Sequence, residues 1–295
     1  MYELIQINEQ DYYIDCPARI GLVRAPGDEV WLIDSGNDKD AGKKVLRILE
    51  GQGWRLKAIL NTHSHADHIG GNRFLQDRTG CEIYAQGLER LYASAPLLEP
   101  AGLYGGLPLK ELRTKFLMAR ESRVLPLEEA PLPAGLKPIS LAGHCAEMTG
   151  FLTADGTAYI ADCVSSPETL EKYGVGYLWD PEAALKTLET LPDLGAKVWV
   201  PAHAPVTEDI RPLAELNRRV LLELKAFILK ACAAPITFEA LLKKVFDDHG
   251  MTMNPPQYAL VGSTLRSWLS VLCDRGELTF DFRNNEMLWQ AAEGK

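Results

Sequence analysis

The residues that could do chemistry gather first at His63-Ser64-His65-Ala66-Asp67-His68. Three imidazoles and a carboxylate fall within six positions. With six His and 17 Asp in 295 residues, chance produces such a motif somewhere in the chain with a probability of roughly 10⁻⁴. Neutral imidazole and carboxylate are the donors that borderline divalent metals prefer. In an extended segment His63 and His65 point the same way, because strand side chains repeat at period two. Asp67 and His68 follow where the chain turns and can face a second position a few ångströms away. Three later residues extend the pattern: His144 after the strand around Ile139, Asp162 closing Tyr159-Ile160-Ala161, and His203 after Val198-Trp199-Val200. Each is placed just past a strand end, where residues far apart in sequence can converge. Five of the six histidines are thereby accounted for. His249 stands apart beside Asp247 and Asp248 at a helix end, where an imidazole suits the helix dipole, and is assigned no chemistry.

The elements that must position these residues are legible as short runs. Tyr2–Ile7, Tyr12–Cys16, Arg19–Arg24 and Val30–Ile33 read as strands, rich in Ile, Val, Tyr and Trp. Asp38–Glu50 has helical spacing at Ala41, Val45, Leu46 and Leu49 and is closed by Gly51 and Gly53. Ala58–Leu60 is a buried-type strand that runs into the histidine motif, and a helix follows over about Gly71–Arg78. Residues 96–138 carry seven prolines and the Gly102, Gly105-Gly106 cluster; they read as a surface excursion or a lid over a site, with one helix over Leu109–Arg123. Strands return at Pro138–Leu141, Phe151–Thr153, Ala158–Ala161 and Lys197–Val200, with Asp155-Gly156 as a hairpin turn. Asp180-Pro181 caps and starts a helix to about Leu191.

From about residue 215 the pattern turns helical: Leu216–Ala231, Thr237–His249 and Pro256–Arg275, then strands Leu278–Phe282 and Met287–Gln290 flanking Asn284-Asn285. Three helices and a hairpin resemble a winged helix, so two domains are expected, 1–214 and 215–295. Residues 1–215 carry 21 basic and 31 acidic residues, and 216–295 carry 10 and 9. A nearly neutral tail on a chain of net charge -9 disfavours wholesale nucleic-acid or anionic-membrane binding. No run of 18 apolar residues and no basic-then-apolar leader is found, so neither a transmembrane helix nor a signal peptide is expected. Six cysteines (16, 81, 145, 163, 232, 273) without a C-x-x-C pair read as reduced thiols, and the expected location is cytoplasmic. The oligomeric state, monomer or homo-oligomer, is left open.

Thr62-His63-Ser64-His65-Ala66-Asp67-His68-Ile69-Gly70-Gly71-Asn72, with Gly143-His144, Ala161-Asp162 and Pro201-Ala202-His203, resembles the metallo-β-lactamase superfamily of hydrolases over residues 20–205. The resemblance implies an α+β fold, a four-layer αββα sandwich, here followed by the small winged-helix-like domain. It also implies a glyoxalase II-like binuclear site. By that likeness His63, His65 and His144 hold one metal, Asp67, His68 and His203 hold the other, and Asp162 bridges both. Asp34 in Ile-Asp-Ser-Gly matches the family's supporting aspartate behind the ligands. True two-zinc β-lactamases replace the bridging aspartate or one histidine, so Asp162 beside His203 argues against antibiotic hydrolysis. Cys145 and Cys163, next to His144 and Asp162, read as small packed residues or as redox-sensitive contacts.

Two close divalent cations would share a water or hydroxide and make it nucleophilic near neutral pH. Zinc is the first expectation, and iron or manganese suits the same donors. Asp67 is the expected proton acceptor. The function expected first is hydrolysis of a small ester-like molecule: a thioester, a lactone or another acyl compound. A nuclease of RNA or DNA aided by the tail is the alternative, and an iron-dependent dioxygenase of sulfur compounds a second. A metal-binding sensor without catalysis is a further reading, disfavoured by the complete ligand set.

Overall fold

The computed structural model describes residues 2–292. The first half builds a seven-stranded sheet: β1 (Glu3–Gln6), β2 (Asp11–Asp15), β3 (Ile20–Arg24), β4 (Glu29–Ile33), β5 (Arg55–Leu60), β6 (Glu82–Ala85) and β7 (Leu125–Pro126), in spatial order of sequence. β1 to β4 pair antiparallel, and β4 to β7 pair parallel. The switch follows from the connections. Short turns join the early strands, whereas helix α1 (Lys39–Gln52) crosses over between β4 and β5. Asp38 caps α1 by accepting from the backbone N–H groups of Asp40 and Ala41, and Gly53 closes it in the left-handed region. After β5 come α2 (Ala66–Ile69) and α3 (Asn72–Thr79); after β6 come α4 (Gly87–Ser94) and α5 (Leu98–Tyr104).

The second sheet has the order β11-β10-β9-β8, from β8 (Lys137–Ser140), β9 (Thr149–Leu152), β10 (Thr157–Ser165) and β11 (Val198–His203). Helices α6 (Pro167–Tyr173) and α7 (Pro181–Thr190) join β10 to β11, which pair parallel. The two sheets face each other. Trp31, Ile33, Leu60 and Tyr84 of the first pack against Phe151, Tyr159 and Val200 of the second. The Tyr159 hydroxyl, 2.8 Å from the Tyr12 carbonyl and 3.0 Å from that of Leu22, ties the layers together. On the outer faces Ile14, Leu32 and Ile59 meet Val45 and Leu49 of α1, while Ile160 and Trp199 meet Leu188 of α7. The result is the expected αββα stack.

The chain ends with α8 (Arg211–Ala231), β12 (Ile236–Thr237), α9 (Phe238–Asp248), α10 (Pro255–Asp274), β13 (Leu278–Arg283) and β14 (Glu286–Ala291), the strands ordered β12-β14-β13. Three helices and a hairpin thus lie where the periodicity puts them. Their own core joins Ile228, Val245, Leu265 and Trp268.

Three expectations need correction. Leu109–Arg123 is not a helix; it holds one 3-10 turn, Lys110–Leu112. Its apolar residues cannot form a buried stripe, since Leu109 and Phe116 are exposed and only Leu112 is packed away. Asp162 does not close its strand but lies within β10, and His203 is the last residue of β11. Helix α8 starts at Arg211 and runs through the expected 214/215 boundary. α2, β6, α4, α5, β7, α6 and β12 have no counterpart in the sequence reading.

Candidate metal centre

β5 delivers the histidine motif to the edge between the two sheets. His63 and His65 follow it in extended chain, and the one-turn helix α2 carries Asp67 and His68. α2 must sit tightly against the loop after β4. A side chain on Gly70 would come within 2.3 Å of the Asn37 backbone carbon, and one on Gly71 within 2.3 Å of the Ser35 carbonyl oxygen. His144 comes from the β8–β9 loop. Asp162 is aimed by an irregularity in β10: Ala161 has φ 46°, a left-handed value rare for a residue with a side chain, and the register to β11 shifts on both sides of it.

The seven predicted ligands converge. Donor atoms of His63, His65, His144 and Asp162 lie within 4.8 Å of one another, as do those of Asp67, His68 and His203. Asp162 spans the groups: its Oδ1 is 2.9 Å from His68 Nε2, and its Oδ2 is 3.4 Å from His203 Nε2 and 3.5 Å from His144 Nε2. Asp67 Oδ2 is 3.2 Å from His203 Nε2.

The hydrogen bonds behind the rings assign their tautomers. Thr62 Oγ1 donates to Asp34 Oδ2 at 2.7 Å, so it accepts from His63 Nδ1 at 3.0 Å. His68 Nδ1 donates to Asp34 Oδ2 at 2.8 Å, and His203 Nδ1 donates to the Pro17 carbonyl at 3.2 Å. His65 Nε2 faces Glu99 Oε1 at 3.5 Å. Each of these four rings therefore turns its other nitrogen inward. His65 Nδ1 lies 3.0 Å from both His63 Nε2 and His144 Nε2. Lone pairs facing at that distance repel unless a cation lies between them, and donor separations of roughly 3.3 Å are what tetrahedral zinc–nitrogen bonds near 2.0–2.1 Å require. Two atoms at the centre, His68 Nε2 and Asp162 Oδ1, are buried and lack the alignment of a hydrogen bond to any described residue. A cluster of inward ring nitrogens and carboxylates with orphaned buried atoms is what cations satisfy. The donor set fits two divalent metal ions, with nitrogen and carboxylate oxygen and no thiolate.

The same field sets proton affinities. Burial pushes His63 well below the usual imidazole range, and it holds His144 down to about 3. The Asp162 carboxylate lifts His203 to about 10. Burial opposes a charge on His68, but Asp162, Asp67 and Asp34 outweigh it and raise that ring well above its ordinary value. Asp67, despite burial, is held at about 2 by His68 and His203 and is ionised at neutral pH. Burial pushes the Cys163 thiol up to about 12 and the Cys145 thiol well above its usual range. Both are protonated packing groups at neutral pH. All six cysteines are free.

Asp34 supports the site as expected, receiving the Thr62 N–H at 2.8 Å besides the two contacts above, from a left-handed conformation with φ 67°. The sequence reading missed three residues. Glu89, buried, accepts from Ser64 N, Ser64 Oγ and Glu147 N and so ties the motif to the His144 loop. Glu99 of α5 backs His65. Tyr177 packs edge-to-face near His65 and His144, with ring centroids 5.2 and 5.8 Å apart. A carboxylate inside the apolar Leu97–Leu103 run was the one available signal for Glu99. His249 has its Nδ1 bonded to the Val245 carbonyl at 3.0 Å, away from the cluster.

Comparison with known proteins agrees with this geometry. Part of the chain is similar to hydroxyacylglutathione hydrolases: 54% identical over 39 residues to that of Methylococcus capsulatus, and 40% over 74 residues to that of Dechloromonas aromatica. Those segments span 13% and 23% of this chain and 15% and 28% of the two relatives. Among solved structures, a beta-lactamase domain protein from Burkholderia ambifaria superposes with a TM-score of 0.76 at 16% identity, over 98% of this chain and 94% of its own. A metallo-beta-lactamase family protein from Thermus thermophilus gives 0.69 at 20%, over 99% and 98%. A metallo-beta-lactamase from Pontibacter korlensis gives 0.57 at 17% and covers 75% of this chain but 99% of its own. The shared fold therefore includes the C-terminal helices in the first two. The family model of the metallo-beta-lactamase superfamily matches residues 13–203, which hold all seven converging ligands, and the chain belongs to that superfamily.

Proposed function

We propose that this protein is a binuclear metal-dependent hydrolase of a small ester-like acyl compound, with thioesters the first substrate class and lactones the second. The observation that carries the reading is the seven-residue cluster of inward ring nitrogens and carboxylates, with Asp162 within reach of both ligand groups. The partial similarity to hydroxyacylglutathione hydrolases supports an acyl rather than a phosphoryl centre.

When bound, two divalent cations supply Lewis acidity that makes water nucleophilic near neutral pH and polarises the attacked oxygen. The protein's own groups do the rest. His63, His65 and His144 would hold one ion, Asp67, His68 and His203 the other, and Asp162 both. Asp34, Glu99 and the Pro17 carbonyl fix the ring orientations before substrate arrives. Asp67, ionised at neutral pH, would accept a hydrogen bond from the attacking water and pass its proton on.

The test is turnover by the protein reconstituted separately with zinc, iron and manganese, on a panel of thioesters and lactones. Hydrolysis by at least one metal form is expected, with His65→Ala and Asp67→Ala inactive yet folded. No hydrolysis of any acyl substrate, or near-normal turnover by His65→Ala, overturns the proposal.

A further inference from the structure

A cavity of about 120 Å³ adjoins the cluster and shares His144 and Asp162 as part of its wall. Most of what remains of that wall is hydrocarbon. Leu141 and Met148 line it from the second sheet's loop, Leu170 and Val175 from α6 and the segment after it, and Val220 and Leu224 from α8. Asn217, Thr187 and Thr264, three of the polar side chains around it, are committed to the backbone. Asn217 accepts from Ser165 N at 3.0 Å and donates to the carbonyls of Ser165 and Leu213 at 2.9 Å. Thr187 donates to the Ala142 carbonyl at 2.7 Å. Thr264 of α10 donates to the Gly176 carbonyl at 3.0 Å and accepts from Leu178 N at 2.9 Å. His249, beyond α9, gives its Nδ1 proton to Val245. Beyond Ser165, Tyr177 and His249 Nε2, a peptide-like or sugar-like group would find few partners on this wall, at a desolvation cost, whereas methylene groups would lose nothing.

We propose that this cavity receives the hydrocarbon tail of the acyl group, so that the substrates are straight-chain acyl thioesters of medium length rather than short, polar hydroxyacyl ones. The assignment rests on the acyl-hydrolase reading above. The acyl carbon lies at the cluster, its tail enters between the second sheet and the C-terminal helices, and the polar thiol half points away. Water adds to the carbonyl carbon as the C–S bond breaks; the products are the carboxylate, the free thiol and one proton. The C-terminal helices thereby gain a role, since α8, Thr264 and His249 complete the wall that sets chain length.

The test reads binding as well as turnover. Calorimetry would measure butanoate, hexanoate, octanoate and decanoate, the product class, on the metal-reconstituted protein. Affinity should rise about threefold to fourfold per added methylene and then level off as the cavity fills. Val220→Phe and Leu170→Phe, at two half-buried positions on opposite elements of the wall, should each move the levelling point to a shorter chain by at least two carbons. Two variants guard against one failing to fold, as judged by its melting curve. Affinity independent of chain length overturns the proposal, and so does a levelling point unmoved in both folded variants. Thioester hydrolysis with a flat chain-length profile would overturn the cavity assignment alone. Length-dependent carboxylate binding with no acyl turnover would overturn the hydrolase reading and leave the tail cavity standing as a binding site.

Discussion

Asp34 serves both halves of the cluster through three donors: Thr62 N, Thr62 Oγ1 and His68 Nδ1. Thr62 passes that support on to His63, so one buried carboxylate orients a ligand from each group. Asp34→Asn is the informative substitution, because Asn also tolerates the left-handed conformation and matches Asp in size. Its amide has one accepting oxygen, and its NH₂ would oppose a donor. Metal affinity should fall about 10–100-fold, measured by competition with a chelator, while the far-ultraviolet spectrum is unchanged. Wild-type affinity in the variant would show that ring orientation does not depend on Asp34. The seven converging residues were legible because their type and spacing carry the chemistry. Glu89, Glu99 and Tyr177 were not, because each acts through a contact between distant segments that no local spacing encodes.

Among elements, α2 bears the tightest constraint. It is one turn long, carries Asp67 and His68, and lies against the loop after β4 with no room for a Cβ at Gly70. Gly70→Ala should cost about 1–3 kcal/mol of overpacking strain in urea unfolding. Because relief requires α2 to move, metal content should fall along with stability. A variant with native stability and full metal content would mean the loop yields freely. The same scale shows where sequence reading stops. β2 to β5, α1, α3, α7 and the C-terminal helices follow from periodicity, capping residues and closing glycines. β6 and α4 to α6 are short and flanked by Gly and Pro, so no local pattern of theirs rises above that of loops. The bulge at Ala161 that turns Asp162 inward belongs to the pairing of β10 with β11, and a strand read alone cannot show it.

At the scale of the whole molecule, the chain that reads as two domains is joined by a shared helix. α8 starts on the second sheet's core, where Ala214 is buried, and ends in the C-terminal core, where Leu224 and Ile228 are buried; Leu221 borders both. The C-terminal unit also grips α7 through Leu185 and the Glu182–Arg275 ion pair. Leu103 and Leu112 of the 96–138 excursion pack with Ala259 of α10. Unfolding the tail alone would expose these surfaces on the sandwich, break α8 midway and open the cavity beside the cluster. One cooperative transition is therefore expected in calorimetry of the full chain, although two domains of this size commonly unfold separately. Ile228→Ala, a truncation at a fully buried position of the C-terminal core, should remove about 2–5 kcal/mol from that single transition. Metal release should follow the same shifted midpoint. Two resolved transitions, with only one displaced by the substitution and metal release tied to the other, would show that the sandwich and its tail are energetically separate.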